Sequence, residues 1–267
     1  WIEFEPAILT YHVAKRLTEE EKNLIRVQDS RLVSEHRALQ FEKDAKKHWD
    51  LFYKRNETRF FKDRHWTMRE FEELLGLGVN NGVLLEVGCG VGNLFYPLLE
   101  DGIKTRKIYA CDISHRAIEL VKSFNPEKII AFQTDVTEQK CFSDVDIPVN
   151  VATLVFVLSA IHPEKFKLVA GNLYAVMDSG GTILFRDYGL YDMAQLRFKP
   201  GHKISENFYV RQDGTRSYYF SVEEVRDIFI SAGFQELSCC YVERRTINVK
   251  EKIDVPRIFV QAKFKKP

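Results

Sequence analysis

The run Leu84-Leu85-Glu86-Val87-Gly88-Cys89-Gly90-Val91-Gly92-Asn93 narrows the folds open to this chain more than any other stretch. Val83 to Val87 is apolar enough for a buried strand, and Leu94-Phe95-Tyr96-Pro97-Leu98-Leu99 reads as the start of a helix. A strand, a glycine-rich turn and a helix N-terminus, in that order, build a site for a nucleotide-like ligand. The glycines let the backbone turn tightly and let a ligand approach where a Cβ would stand.

The spacing separates this loop from its nearest rival. A dinucleotide fingerprint runs G-x-G-x-x-G around a pyrophosphate. Here the third glycine comes one residue early, at Gly92, and Glu86 stands on the strand before the loop. An acid there repels a pyrophosphate and suits an ammonium group, such as the methionine part of S-adenosylmethionine. The stretch resembles motif I of the class I methyltransferases. Two further strand ends agree. Ile108 to Asp112 ends in an acid about 20 residues beyond the loop, where a carboxylate accepts the two hydroxyls of a ribose. Ile129 to Val136 is a strand ending in Asp135, placed to accept from an adenine amino group.

Beyond that point, strand and helix patterns alternate. Strands are expected at 83–87, 107–112, 128–134, 150–157 and 181–186, with helices at 93–100, 114–123 and 163–177. This predicts a doubly wound parallel α/β sheet. Gly180-Gly181 reads as the turn into the fifth strand. Ser221 caps a helix ending near Gly233, and strands at 236–246 and 256–264 form a terminal antiparallel pair.

Two appendages flank that sheet. Thr18-Glu19-Glu20-Glu21 is a helix start, and two helices are expected up to about Arg55, the second from Ser34. That second helix carries Trp49 and Tyr53 on one face. Residues 43–69 then interleave cations, among them Lys47, Lys54, Arg55, Lys62 and Arg64, with Phe52, Phe60, Phe61 and Trp66. Cations neutralise phosphates and aromatic rings stack on unpaired bases, the combination used on single-stranded RNA. A helix leading into the first strand is expected over Thr67–Leu75. The second appendage follows the fifth strand, where Phe208–Gln212 and Thr215–Phe220 flank Asp213-Gly214, a strong hairpin signal. Arg197, Arg211 and Arg216 give it a basic face.

The formal net charge is only +1, so an RNA surface has to come from such local clusters. Five cysteines, two of them adjacent at Cys239-Cys240, make a poor disulfide framework and point to a reducing compartment. The expected home is the cytoplasm, with the nucleus a second. Scattered histidines and no Cys-x-x-Cys pair give no metal site. The longest apolar stretch, Val149 to Ile161, is too short to span a membrane.

Taken together, these motifs resemble the methyltransferase-like enzymes that make 3-methylcytidine (m3C) in the anticodon loop of tRNA. The stretches that carry the resemblance are Lys47–Trp66, the loop 86–93, Phe156–Ala160, Arg186–Gly189 with Tyr191-Asp192 and Gln195–Phe198, and Asn207–Tyr219. Leu190 and Gln212 are more similar to the serine-tRNA branch than to the threonine or arginine branches. The resemblance implies a class I, Rossmann-like fold with a seven-stranded sheet, an N-terminal helical extension and a β-hairpin insertion. It implies a tRNA-binding and cofactor-lid segment over 1–66, a methyltransferase domain over 67–188 and 221–267, and an RNA-binding insertion over 189–220.

The activity implied is methyl transfer from S-adenosyl-L-methionine to N3 of the cytidine at position 32, in serine tRNA, with seryl-tRNA synthetase as a partner. Cofactor contacts are implied at Trp49, Tyr53, Gly88, Asp112, Asp135, Val136 and Val155, joining Glu86, Gly90 and Gly92 of the loop. RNA contacts are expected at Lys62, Arg64, His65, Arg197, Arg211 and Arg216. Asp187 is the candidate carboxylate for the exocyclic amine of the base. A catalytically idle RNA-binding subunit and a small-molecule methyltransferase stay open as alternatives, although the intact loop and strand-end acids oppose the first and the basic appendages the second.

Overall fold

The computed structural model describes residues 9–57, 64, 66–123, 128–248 and 253–267. A short strand β1 (Leu9–Tyr11) opens the chain and three helices follow, α1 (Glu19–Asp29), α2 (Glu35–Lys43) and α3 (Ala45–Asn56). Helix α1 starts in a full capping box, with the Glu21 amide donating to Thr18 Oγ1 at 3.2 Å and the Thr18 amide to Glu21 Oε2 at 3.0 Å. The helix expected from Ser34 is divided at Asp44 (φ −92°, ψ 9°), although main-chain hydrogen bonds continue across the break. The helix expected over 67–75 is also two pieces, α4 (Trp66–Glu70) and α5 (Glu72–Val79). Phe71 leaves helical geometry between them, and its side chain is fully buried.

The central alternation then runs β2 (Val83–Val87), α6 (Phe95–Glu100), β3 (Lys107–Asp112), α7 (His115–Ser123), β4 (Ile129–Gln133), β5 (Val149–Val155), α8 (Phe166–Val176) and β6 (Met177–Tyr188). Gly180 and Gly181 lie inside β6 rather than in a turn before it. A register shift between Val149 and Val151 absorbs them, and Gly180 takes φ +81°. The insertion contains α9 (Met193–Leu196) and a three-stranded sheet of β7 (Lys203–Ser205), β8 (Phe208–Val210) and β9 (Arg216–Tyr218). Helix α10 (Val222–Ser231) and the long strands β10 (Gln235–Asn248) and β11 (Ile253–Lys265) complete the chain.

The main sheet has the order β1-β10-β11-β6-β5-β2-β3-β4. Strands β4, β3, β2, β5 and β6 are parallel neighbours; β11, β10 and β1 join antiparallel. This is the expected seven-stranded class I sheet with an eighth strand added. The addition comes from the N-terminal segment, which is therefore not purely helical: Tyr11 pairs with Tyr241 and stacks on its ring at 5.3 Å. From β2 the chain winds first towards β3 and β4, then crosses to β5 and β6. A crevice therefore opens at the carboxyl edge of β2.

Apolar clusters cover both faces of the sheet. A smaller cluster of Phe52, Tyr53, Val91 and Ala117, with Trp49 and Leu120 against it, fixes α3 to the glycine loop and to α7. Burying a ring such as Phe52 contributes about 1.5–3 kcal/mol, enough to hold a helix whose outer face is charged. Helix α1 is tied to the insertion by polar contacts. The buried Gln28 donates to the Gln195 carbonyl at 2.9 Å and accepts from Tyr209 Oη at 3.0 Å, and Lys203 pairs with Asp29 at 2.6 Å. The N-terminal helices and the insertion thus form one unit beside the crevice.

Candidate active site

A cavity of about 280 Å³ occupies the crevice. Its walls come from the carboxyl ends of β2, β3 and β5, the face of α3 and the tip of the insertion. Gly88 and Gly90 lie in it directly. Gly90 has φ +54°, and a Cβ there would stand 2.7 Å from the Tyr53 hydroxyl, so α3 closes over the loop at the one residue type that permits it. Gly92 does not line the cavity; its amide donates to the Cys89 carbonyl at 2.9 Å and shapes the turn.

Asp112, at the end of β3, is the anchor. Its Oδ2 accepts from the Gly90 amide at 2.9 Å and its Oδ1 from the Ser114 amide at 2.8 Å. A carboxylate retains acceptor capacity beyond those two bonds, and this one faces the cavity, so it fits a ribose diol. Asp135 lines the next stretch of wall and accepts from the Thr137 amide and hydroxyl at 2.9 and 2.8 Å. Val136, Val155, Trp49 and Tyr53 all line the same cavity. Phe52 joins them, an aromatic of the basic run that no local sequence signal assigns to this pocket. Adenine and ribose need apolar walls, a strand-end acid and an open loop, and all three are present together.

Burial pushes the Asp112 carboxyl up to about 6, against the pull of the Ser114 and Gly90 amides. A carboxyl raised in the folded state contributes stability that is full below its ordinary value near 3.8 and is lost as pH rises through about 6. Ribose hydroxyls donate to the ionised form, so the ligand favours the deprotonated protein. Cofactor affinity is therefore expected to weaken as pH falls below about 6, by up to roughly tenfold per unit, with proton release on binding near pH 6. Calorimetry from pH 5 to 7 in two buffers of different ionisation heat checks this, and a flat affinity over that range contradicts it.

Glu86 and Asp187 occupy different places from those the sequence implied. Glu86 is buried behind the loop, where its Oε2 accepts from the Phe95 amide at 3.1 Å and so holds the start of α6. Burial raises its carboxyl to about 8, with the nearby Arg64 opposing. It shapes the loop and does not line the cavity. Asp187 is fully buried one layer behind the wall. Its Oδ2 accepts from the Ser159 amide and its Oδ1 from the Tyr188 amide, both at 2.9 Å. Ser159 and Tyr188 do line the cavity, so Asp187 acts on the site by positioning them.

The cations divide in an equally instructive way. Arg64 is drawn into the cavity wall rather than onto an RNA surface. Its amide donates to the Asn93 carbonyl at 2.7 Å, its guanidinium donates to the Val155 carbonyl at 3.2 Å, and it lies 5.7 Å from the Phe156 ring centre. Arg216 is buried too, ion-paired with Glu42 of α2 and donating to the Ala160 carbonyl at 3.2 Å. It joins the insertion to the N-terminal helices and is not available to a phosphate. Lys62 and His65 lie outside the described residues. Arg197 is exposed, and with Arg55, Lys199, His202 and Arg211 it lines a shallow basic groove that also contains Phe198. Arg211 and Asp213 belong to both the groove and the cavity, so the two hollows meet at the hairpin tip.

Aromatic rings and a cation also line the cavity. Phe156, at φ +61°, and Tyr188 have ring centres 5.1 Å apart, and Arg211 lies 5.4 Å from the Tyr188 ring centre. Among the described residues no group of three or more side chains is placed to hold a metal, and no helix is long and apolar enough to cross a membrane.

Comparison with known proteins agrees with this geometry. A general family profile described as a methyltransferase domain matches residues 53–238. Among solved structures, an S-adenosylmethionine-dependent methyltransferase from Anabaena variabilis superposes with a TM-score of 0.61 at 15% identity, covering 83% of this chain and 94% of its own. The N-methyltransferase NodS from Bradyrhizobium japonicum, solved with S-adenosylhomocysteine, gives 0.53 at 15% identity, covering 85% and 98%. These establish the fold. The chain is 52% identical over 257 residues to the tRNA N(3)-cytidine methyltransferase METTL6 of Mus musculus, covering 94% of this chain and 90% of the relative. It is 49% identical over 261 residues to the human protein of that name, covering 95% and 91%. A Schizosaccharomyces pombe tRNA N(3)-methylcytidine methyltransferase, trm141, is 44% identical over 234 residues, covering 85% and 94%. With about half of the residues identical over some nine-tenths of both chains, the chain belongs to the family of S-adenosylmethionine-dependent tRNA N(3)-cytidine methyltransferases.

Proposed function

We propose that this protein transfers a methyl group from S-adenosylmethionine to N3 of a cytidine in the anticodon loop of tRNA, at position 32, with serine tRNA as its substrate. The observation that carries the reading is the junction of the cofactor cavity with a basic groove at Arg211 and Asp213. A strand lying in the groove can place one unstacked base in the cavity. A small-molecule methyltransferase has no need of that groove.

The cofactor supplies an electrophilic methyl on a sulfonium. N3 of cytosine already offers a lone pair, so the chain's task is alignment and charge complementarity rather than proton removal. The Asp112 carboxylate holds the ribose, and the faces of Trp49, Phe52 and Tyr53 exclude water from the cavity. Phe156 and Tyr188 offer π surfaces to the incoming base. Arg197, Lys199 and Arg55 attract the neighbouring phosphates, and Phe198 offers a ring to an adjacent base.

Methyl transfer to total tRNA, followed by base-resolved mapping of the product, tests the reading; methylation at another base, or none, overturns it. Fractionated isoacceptors, with and without seryl-tRNA synthetase, test the serine branch and that partner, which rest on the likeness of Leu190 and Gln212 to that branch. Residence in the cytoplasm and nucleus is proposed on the free state of all five cysteines. Within the groove, Arg197→Ala is expected to lower the slope of log affinity against log salt by about one while cofactor affinity stays the same. Titration of labelled tRNA between low and moderate salt measures it, and an unaltered slope removes Arg197 from the phosphate path.

A further inference from the structure

We infer that the Asp213 carboxylate recognises the target base, accepting a hydrogen bond from the exocyclic amine of cytosine and so setting base specificity. The inference rests on the reading of this site as a cytidine-N3 methyltransferase centre and names the group that reads the base.

Three observations converge on Asp213. Its position is the first: it lines the cavity and the basic groove at once, at the tip of the β8–β9 hairpin. A base leaving the groove for the cavity passes it. The second is its free oxygen. Oδ1 accepts from the Thr215 amide at 3.0 Å and the Thr215 hydroxyl at 2.7 Å, while Oδ2 bonds to no described residue. The third is rigidity. The turn is closed by the Arg211 amide donating to the Thr215 carbonyl at 2.7 Å, and Gly214 packs so closely on His48 of α3 that a Cβ would stand 2.5 Å from the imidazole. The carboxylate is therefore held in place before any ligand arrives.

Neighbouring carboxylates are already committed. Glu42 also lines the cavity, but its Oε1 pairs with Lys165 at 2.7 Å and its Oε2 with Arg216. Asp187 is fully buried behind the wall, with both oxygens bonded to main-chain amides.

The chemistry fits a carboxylate that is never a base. N3 of cytosine is flanked by the amine on C4 and the carbonyl on C2. The N3 lone pair forms the new bond to the methyl carbon, the carbon–sulfur bond breaks, and its electron pair stays on sulfur. No proton moves. Positive charge passes from the sulfonium to the base and spreads over N3, C4 and the exocyclic nitrogen. A carboxylate beside that amine binds the substrate and strengthens its hold as the charge develops. Uracil presents an oxygen there, which the carboxylate repels.

The test uses the full chain and an anticodon-arm RNA carrying either cytidine or 2-pyrimidinone riboside, which lacks the amine, at the target position. Asp213→Asn keeps an oxygen for the Thr215 turn but removes the charge. It is expected to lower kcat/KM for the cytidine RNA at least 100-fold, with cofactor affinity and melting temperature unchanged. The unsubstituted protein is expected to lose a comparable factor on the amine-free RNA, and the variant little more on that RNA, because both changes remove one interaction. Thr215→Val, which loosens the turn alone, is expected to cost under tenfold. Asp213→Asn activity within threefold of the parent, independent multiplying losses, or a Thr215→Val loss as large as that of Asp213→Asn would each overturn the inference. Failure of the unsubstituted protein to methylate cytidine N3 would instead overturn the functional reading on which it rests.

Discussion

Gly90→Val is expected to abolish cofactor binding while leaving the sheet folded. Residue 90 sits at φ +54°, where a β-branched side chain is a severe outlier. Its new Cβ would also stand 2.7 Å from the Tyr53 hydroxyl. Tyr53 cannot step aside cheaply, because it is buried in the cluster with Phe52, Val91 and Ala117. Relief therefore comes from lifting α3 or distorting the loop, and either one dismantles the cavity. The Asp112 Oδ2 bond to the Gly90 amide would go with it. A loss of two such interactions corresponds to more than about 100-fold in affinity, each tenfold being ~1.4 kcal/mol. Calorimetry with S-adenosylhomocysteine measures the loss, and circular dichroism checks the fold. Native affinity in a folded Gly90→Val protein would mean that the loop is not the cofactor site.

Arg216→Ala is expected to detach the insertion from the N-terminal helices. Arg216 is buried and spans from β9 to Glu42 on α2, and Glu42 also takes Lys165 at 2.7 Å. Removing one partner of a buried pair typically costs ~3–5 kcal/mol, and the value here falls towards the lower end because Lys165 still faces Glu42. In a chain of this size each kcal/mol lowers the melting temperature by about 2–4 °C, so a drop near 10 °C is expected. RNA methylation should fall with it, since the cavity and groove share the hairpin tip that Arg216 secures. The double variant Glu42→Ala/Arg216→Ala should lose less stability than the sum of the two single variants, because both changes remove the same contact. Additive losses in chemical denaturation would show that the pair is not a unit, and an unchanged melting temperature that the contact contributes nothing.

The features of this chain whose physics is local are legible in its residues alone. The apolar run 83–87, the glycine spacing and Asp112 located the cavity at the carboxyl edge of the sheet, because a strand, a tight turn and a strand-end acid are set by neighbours within a few residues. Thr18 with Glu21 marked a helix start, and Asp213-Gly214 a hairpin, for the same reason. Trp49 and Tyr53 were legible as one face of one helix.

Tertiary structure alone decided what each charge is for. Arg197 and Arg216 are the same residue type on the same insertion. Glu42, 174 positions away, neutralises Arg216 and buries it, while Arg197 stays in water. Arg64 is likewise taken from the basic run into the cavity wall by the Val155 and Asn93 carbonyls. Among the acids, Asp187 and Asp213 look alike in the chain, yet main-chain amides occupy both oxygens of the first and leave one of the second open. The three-residue strand Leu9–Tyr11 acquires its meaning only by pairing with β10, more than 200 positions downstream. A charge or a strand edge is satisfied by whatever the fold brings to it, and long-range proximity is a property of the packed chain that no local pattern encodes.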